Sequence, residues 1–129
     1  MIVRTATPED LPALFSLWLE LMEAHKQYHR IFELNQDNQD SIRKELKKKL
    51  SDPNAEVLVA QETIEFPIGG MIIIRYSEKP EAMKIRRQGY IAETVVNETH
   101  RGKGMGSALV SAAETWFQDR KVDHVELQV

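Results

Sequence analysis

The chain of 129 residues contains no cysteine, which removes disulfides, thiolate metal sites and sulfur nucleophiles together and fits a reducing compartment. No stretch approaches the roughly 20 apolar residues that span a membrane. The opening Met1-Ile2-Val3-Arg4-Thr5 lacks the charged lead, apolar run and small-residue cleavage site of a secretory signal. The expectation is a cytoplasmic protein with no membrane partner, in which the sequon Asn97-Glu98-Thr99 is chance. A basic field is missing as well: 17 Lys+Arg against 20 Asp+Glu leave a formal net charge of -3. Nucleic-acid binding leans on phosphate neutralisation, so no nucleic-acid partner is expected. Hydrophobic residues at 42% and charged ones at 29% are ordinary for a globular protein. The length suits one core, and neither a repeat nor a composition shift divides it, so residues 1–129 read as one domain.

Residues 1–5 read as a short first strand. Thr7-Pro8-Glu9-Asp10 reads as a helix start, with Thr7 as cap and Pro8 at the first helical position, where its missing N–H is not needed. Leu11, Leu14, Phe15, Trp18, Leu21 and Met22 recur at three- and four-residue steps and carry an amphipathic helix to about residue 25. The polar, aperiodic residues 35–41 read as a loop into a second helix on which Ile42, Leu46 and Leu50 are four apart, ended by Asp52-Pro53-Asn54. Its lysines Lys44, Lys47, Lys48 and Lys49 read as a solvated face, with substrate steering as the alternative. Residues 56–61 and 68–76 form a predicted hairpin about a turn at 63–67, and residues 89–96 a further strand after a charged loop. A helix carrying Met105, Leu109, Ala113 and Trp116 inward and a last strand over 122–129 complete the chain. The order β-α-α-β-β-β-α-β predicts an α/β fold with a mixed, mostly antiparallel central sheet flanked by helices. Its one parallel crossover is the strand–turn–helix–strand unit from residue 89 onward.

Chemistry concentrates in Arg101-Gly102-Lys103-Gly104-Met105-Gly106. A strand that ends in a glycine turn and opens a helix brings unpaired N–H groups and the positive end of a helix dipole to one point, which suits an anion. Glycines let the backbone approach phosphates, and Arg101 and Lys103 add cationic reach. The spacing matches neither the P-loop G-x-x-x-x-G-K-[ST] nor the dinucleotide G-x-G-x-x-G.

Arg101-x-x-Gly104-x-Gly106 resembles the Q/R-x-x-G-x-G/A signature of the GNAT acetyltransferases, and Ile91-Ala92-Glu93-Thr94-Val95-Val96 looks like the family's fourth strand. The resemblance implies a GNAT-like fold and an N-acetyltransferase that moves an acetyl group from acetyl-CoA directly to a primary amine of a small molecule or polypeptide, with no metal. It implies that backbone groups of Arg101, Gly102, Lys103, Gly104, Met105, Gly106 and Ser107 hold the cofactor pyrophosphate. Val95 and Val96 are implied to pair with the pantetheine arm, where the strand splays from residues 122–129. Direct transfer needs a base for the acceptor ammonium. Glu93 is the candidate, its alternative role being a strand-face glutamate that orders water or pairs with a cation. Many relatives carry a glutamate one place earlier, where this chain has Ala92. Tyr28, His29 and Phe32 fall where the family lines its acceptor side.

After the last strand the family goes on to a helix bearing an asparagine that contacts the cofactor and a tyrosine that reprotonates the leaving thiolate, then two more strands. A C-terminally incomplete domain is therefore expected, with the edge at 122–129 open to a second copy as a homodimer. A catalytically inactive acyl-CoA-binding or interaction module is the alternative function. His25 and His29, four apart, read as helix-end histidines, not metal ligands. Tyr90 reads as packing, and His100 beside the turn as solvent-exposed.

Overall fold

Alternating apolar side chains build one sheet in the computed structural model, which describes residues 1–26 and 39–127. The strands are β1 (Ile2–Thr5), β2 (Ala55–Gln61), β3 (Gly70–Glu78), β4 (Arg87–Val96) and β5 (His124–Leu127). The helices are α1 (Leu11–Lys26), α2 (Asp40–Ser51) and α3 (Met105–Asp119). Spatial order follows chain order, β1-β2-β3-β4-β5. The first four strands pair antiparallel, whereas β5 returns through α3 and lies parallel to β4, Gln88 facing His124 and Ile91 facing Leu127.

Helices cover both faces, so the central strands are apolar without a break. Along β3, Met71 and Ile73 pack beneath α1 and α2 while Ile72 and Ile74 pack beneath α3. All four are essentially buried, and each such side chain contributes about 1.5–3 kcal/mol relative to exposure. The predicted inward set of α3, Met105, Leu109, Ala113 and Trp116, is buried against this second face.

Thr7 stands at the cap as expected, in a capping box with Asp10, whose carboxylate accepts the Thr7 N–H at 2.7 Å and is itself clamped by Arg4 at 2.7 and 3.0 Å. Two local expectations change. Asp40 and Ser41, read as loop, are already helical, an acidic residue in a first turn being favoured by the dipole; residues 35–38 lie outside the described set. β3 begins at Gly70 and runs on to Glu78, into the charged segment read as loop.

The pairing of β3 with β4 is irregular at one point. Ile73 of β3 faces Glu93 of β4 and Ile74 faces Ile91, so Ala92 is an extra residue, a β-bulge. The bulge breaks the alternation of β4. Ala92 packs against the α1/α2 core, and the next residue, Glu93, also reaches α1. Two consecutive side chains thus share one face.

Candidate functional site

β4 ends at Val96 and the chain enters a turn fastened from α1. Glu20 accepts hydrogen bonds from the Asn97 side chain at 3.1 Å and from the Glu98 N–H at 3.0 Å, while Asn97 Oδ1 accepts the Thr99 N–H at 3.0 Å. Gly102 and Gly104 come next, each with φ of +80° and nothing within 4 Å of where a Cβ would stand. Glycine is needed there for a left-handed backbone, not for lack of room. Gly104 is the N-cap of α3, so the N–H groups of Met105, Gly106 and Ser107 open the helix without intrahelical acceptors. At Gly106 a Cβ would make only an ordinary 3.7 Å contact with Val96.

These residues, with Val96, His100 and Arg101, line an open groove of about 330 Å³. Its cations are tethered to carboxylates from other elements. Arg101 Nε donates to the Val96 carbonyl at 3.2 Å and its Nη2 lies 3.6 Å from Glu20. Lys103 Nζ lies 2.8 Å from Glu62, a hydrogen bond that holds the Glu62 carboxyl below the usual carboxylate range. His100 is not solvent-exposed as expected: its ring lies over Gly69, where a Cβ would come within 2.7 Å, and its Nε2 is 3.8 Å from Glu62.

A cavity of about 110 Å³ opens on the opposite helix layer, lined by Trp18 of α1, by Ser41, Ile42, Glu45, Leu46 and Lys49 of α2, and by Glu93. Trp18 Nε1 donates to Glu93 Oε1 at 3.4 Å. Glu93 Oε2 is buried with no hydrogen-bond partner among the described residues. Burial pushes the Glu93 carboxyl above its ordinary range, against the Trp18 hydrogen bond and the charges of Lys49 and His25. A carboxylate in this condition is a stronger proton acceptor than one in water.

The predicted residues Arg101, Gly102, Gly104, Met105, Gly106, Ser107 and Val96 come together at the groove, and Lys103 stands beside it on Glu62. Val95 is buried in the α1/α2 core. Toward β5, residues 92–96 have no partner strand among the described residues. Tyr90 is buried, with the Arg75 guanidinium 4.0 Å over its ring. His25 is half-buried, and Tyr28, His29 and Phe32 lie outside the described residues. Among the described residues no three His, Cys, Asp or Glu gather as metal ligands. Sequence reasoning did not single out Trp18, Glu20 or Glu62, and took Lys49 only with its lysine run, where substrate steering was the alternative reading. Trp18 belongs to an apolar stripe and Lys49 to a lysine run, and nothing local sets either apart.

A glycine turn that opens α3 at the end of a bulged strand, with a half-buried carboxylate a few residues upstream, stands on a mixed α/β sheet. The model of the acetyltransferase (GNAT) family matches residues 16–129. The BH1408 protein from Bacillus halodurans, in the structure of a tetramutant, superposes with a TM-score of 0.87 at 29% identity, over 100% of this chain and 83% of that one. An acetyltransferase from Vibrio fischeri gives 0.78 at 25% identity, over 100% and 96%. An aminoglycoside acetyltransferase from an uncultured soil metagenomic sample, in complex with sisomicin, shares the fold at 0.68 and 22% identity, over 99% and 76%. No curated protein sequence matches the chain. The chain belongs to the GNAT acetyltransferase family.

Proposed function

We propose that this protein transfers an acetyl group from acetyl-CoA directly to a primary amine, with Glu93 as the base. The observation that carries the reading is the Glu93 carboxylate: half-buried on β4, lining a cavity, with one oxygen unpartnered. Glu93 takes a proton from the acceptor ammonium. The freed amine nitrogen bonds to the acetyl carbonyl carbon as the carbon–sulfur bond breaks, and the departing thiolate takes up the proton that the newly acylated nitrogen sheds. The left-handed backbone at Gly102 and Gly104 and the free N–H groups at the start of α3 fit a pyrophosphate. Without cysteine in the chain, an acyl-enzyme on sulfur has no place in the scheme.

Calorimetric titration with acetyl-CoA, run beside ATP and NAD, tests the donor half. Selective binding of acetyl-CoA is expected, and equal binding of all three would reduce the turn to a general phosphate site. Thiol release with a panel of primary amines tests transfer; a chain that binds acetyl-CoA yet acetylates none of them contradicts the catalytic reading.

A further inference from the structure

The cavity beside Glu93 has a charge pattern that the transfer reaction alone does not require. Of its charged lining groups, Glu45 is already engaged, 3.3 Å from Lys48. Lys49, half-buried on the cavity wall, makes no hydrogen bond or ion pair among the described residues, and Glu93 Oε2 makes none either. Lys49 and Glu93, each within reach of the other's charge, thus line one cavity with no ion pair between them among the described residues, beside apolar walls of Trp18, Ile42 and Leu46. A ligand that carries both complementary charges gives each of these partly buried groups the direct charge-assisted contact that it lacks among the described residues.

The helix that supplies Lys49 reinforces the pattern. α2 carries five cations, Arg43, Lys44, Lys47, Lys48 and Lys49, against Asp40 and Glu45, on a chain whose formal net charge is -3. A second groove on the same helix is lined by Arg43, Lys44, Lys47 and Asp40 with Leu11. A positive wall on a negative protein draws anions toward this side and repels polycations.

We propose that the acceptor is a small amino acid, a molecule whose primary amine and carboxylate lie close together, with the amine at Glu93 and the carboxylate at Lys49. The assignment rests on the acetyl-transfer reading for what happens to the amine, but the recognition itself does not. Polyamines, which would set a second ammonium against Lys49, are poor acceptors on this assignment.

The test uses the 129-residue chain with acetyl-CoA and the standard amino acids, each beside its carboxamide and its decarboxylated amine. Transfer is read as released thiol, which a protein without cysteine measures free of background. At least one amino acid is expected to exceed its amide and amine in kcat/KM about tenfold or more, and Lys49→Met is expected to lower that value about ten- to hundredfold, mainly through KM, and to lower the amine's value by clearly less. Amides and amines used as well as the acids overturn the proposal. So does a Lys49→Met effect equal on acid and amine, since Lys49 would then act on Glu93 and not on the acceptor. Thermal-shift titration of the same amino acids, with coenzyme A present, reads recognition without turnover. Stabilisation by an amino acid that is lost in Lys49→Met supports the proposal even where no thiol appears, in which case acetyl transfer is what fails. Absence of any stabilisation in the parent chain overturns it.

Discussion

Replacing Gly104 with alanine separates what the turn does for the fold from what it does for the ligand. The residue has φ 80° and ψ 9°, and a Cβ there meets nothing within 4 Å, so the penalty is conformational and not steric. A left-handed L-residue costs about 1–2 kcal/mol, and the stiffer unfolded chain returns about 0.4–1 kcal/mol, leaving a loss of about 1 kcal/mol. For a chain of 129 residues that lowers Tm by roughly 3–6 °C. Acetyl-CoA affinity should fall further than stability. A methyl group on this wall of the groove displaces the pyrophosphate from one or two charge-assisted N–H contacts of about 1.5–3 kcal/mol each, a loss of ten- to hundredfold or more. Urea denaturation gives the first quantity and calorimetric titration the second. Gly104→Asn is the control, because asparagine tolerates the left-handed region: it should regain stability without regaining affinity. If both variants bind acetyl-CoA as the parent does, while stability shifts as expected, the turn is not the anion site.

Arg4 holds the Asp10 carboxyl down at about 2, from an ordinary 3.8. Stability from this pair is therefore present above about pH 4 and lost as pH falls from there toward 2; Asp10→Asn should cost about 1–2 kcal/mol at pH 7, with the gap to the parent closing near pH 2 in acid-denaturation curves. At Gly89 a Cβ would stand 2.5 Å from the ring of Phe117, which is only 4% exposed, so Gly89→Ala should lose about 1–3 kcal/mol by overpacking, measurable by urea denaturation. Glu93→Gln should flatten the rise of kcat/KM with pH. Because burial raises the Glu93 carboxyl, its ionisation weakens the fold as pH climbs past the ordinary carboxylate range, so the variant should melt above the parent at pH 8 and with it at pH 4; an equal difference at both would refute the burial argument. Glu93→Ala should cost about 10²–10⁴ in rate, and adding Ala92→Glu should recover part of it, since both positions share a face; no recovery would show that the bulge does not make them equivalent.

Fold class and the glycine turn that opens α3 were legible because they are written in local signals. Glycine spacing, β-branched runs and three- and four-residue periodicity depend on backbone conformation and on which side is buried. Exposure was misread where a long-range contact decided it: His100 is covered because Gly69, far from it in sequence, gives its ring a place to lie. Trp18 and Lys49 were read as core stripe and solvated face, the usual fates of such residues, and only the packing of α1 and α2 over β4 puts them in one cavity.

The bulge at Ala92 links the two halves of the site. A regular strand would send residues 92 and 93 to opposite faces, one under α3 and the other toward α1 and α2. The extra residue turns both toward the α1/α2 layer, Ala92 onto its core and Glu93 onto the cavity, and lets Val95 return to the same core while Val96 lines the turn on the other side. On the proposed reading, donor recognition rests on backbone: N–H groups and left-handed glycines, which suit phosphate whatever the neighbouring side chains. On the same reading acceptor recognition rests on side chains of two helices, Trp18 and Lys49, that can be exchanged without touching sheet or turn. On that reading an absent glutamate at 92 is no sign of a lost base: a carboxylate one residue later, beyond the bulge, serves the same face, and α2 is the element whose exchange would change the proposed acceptor.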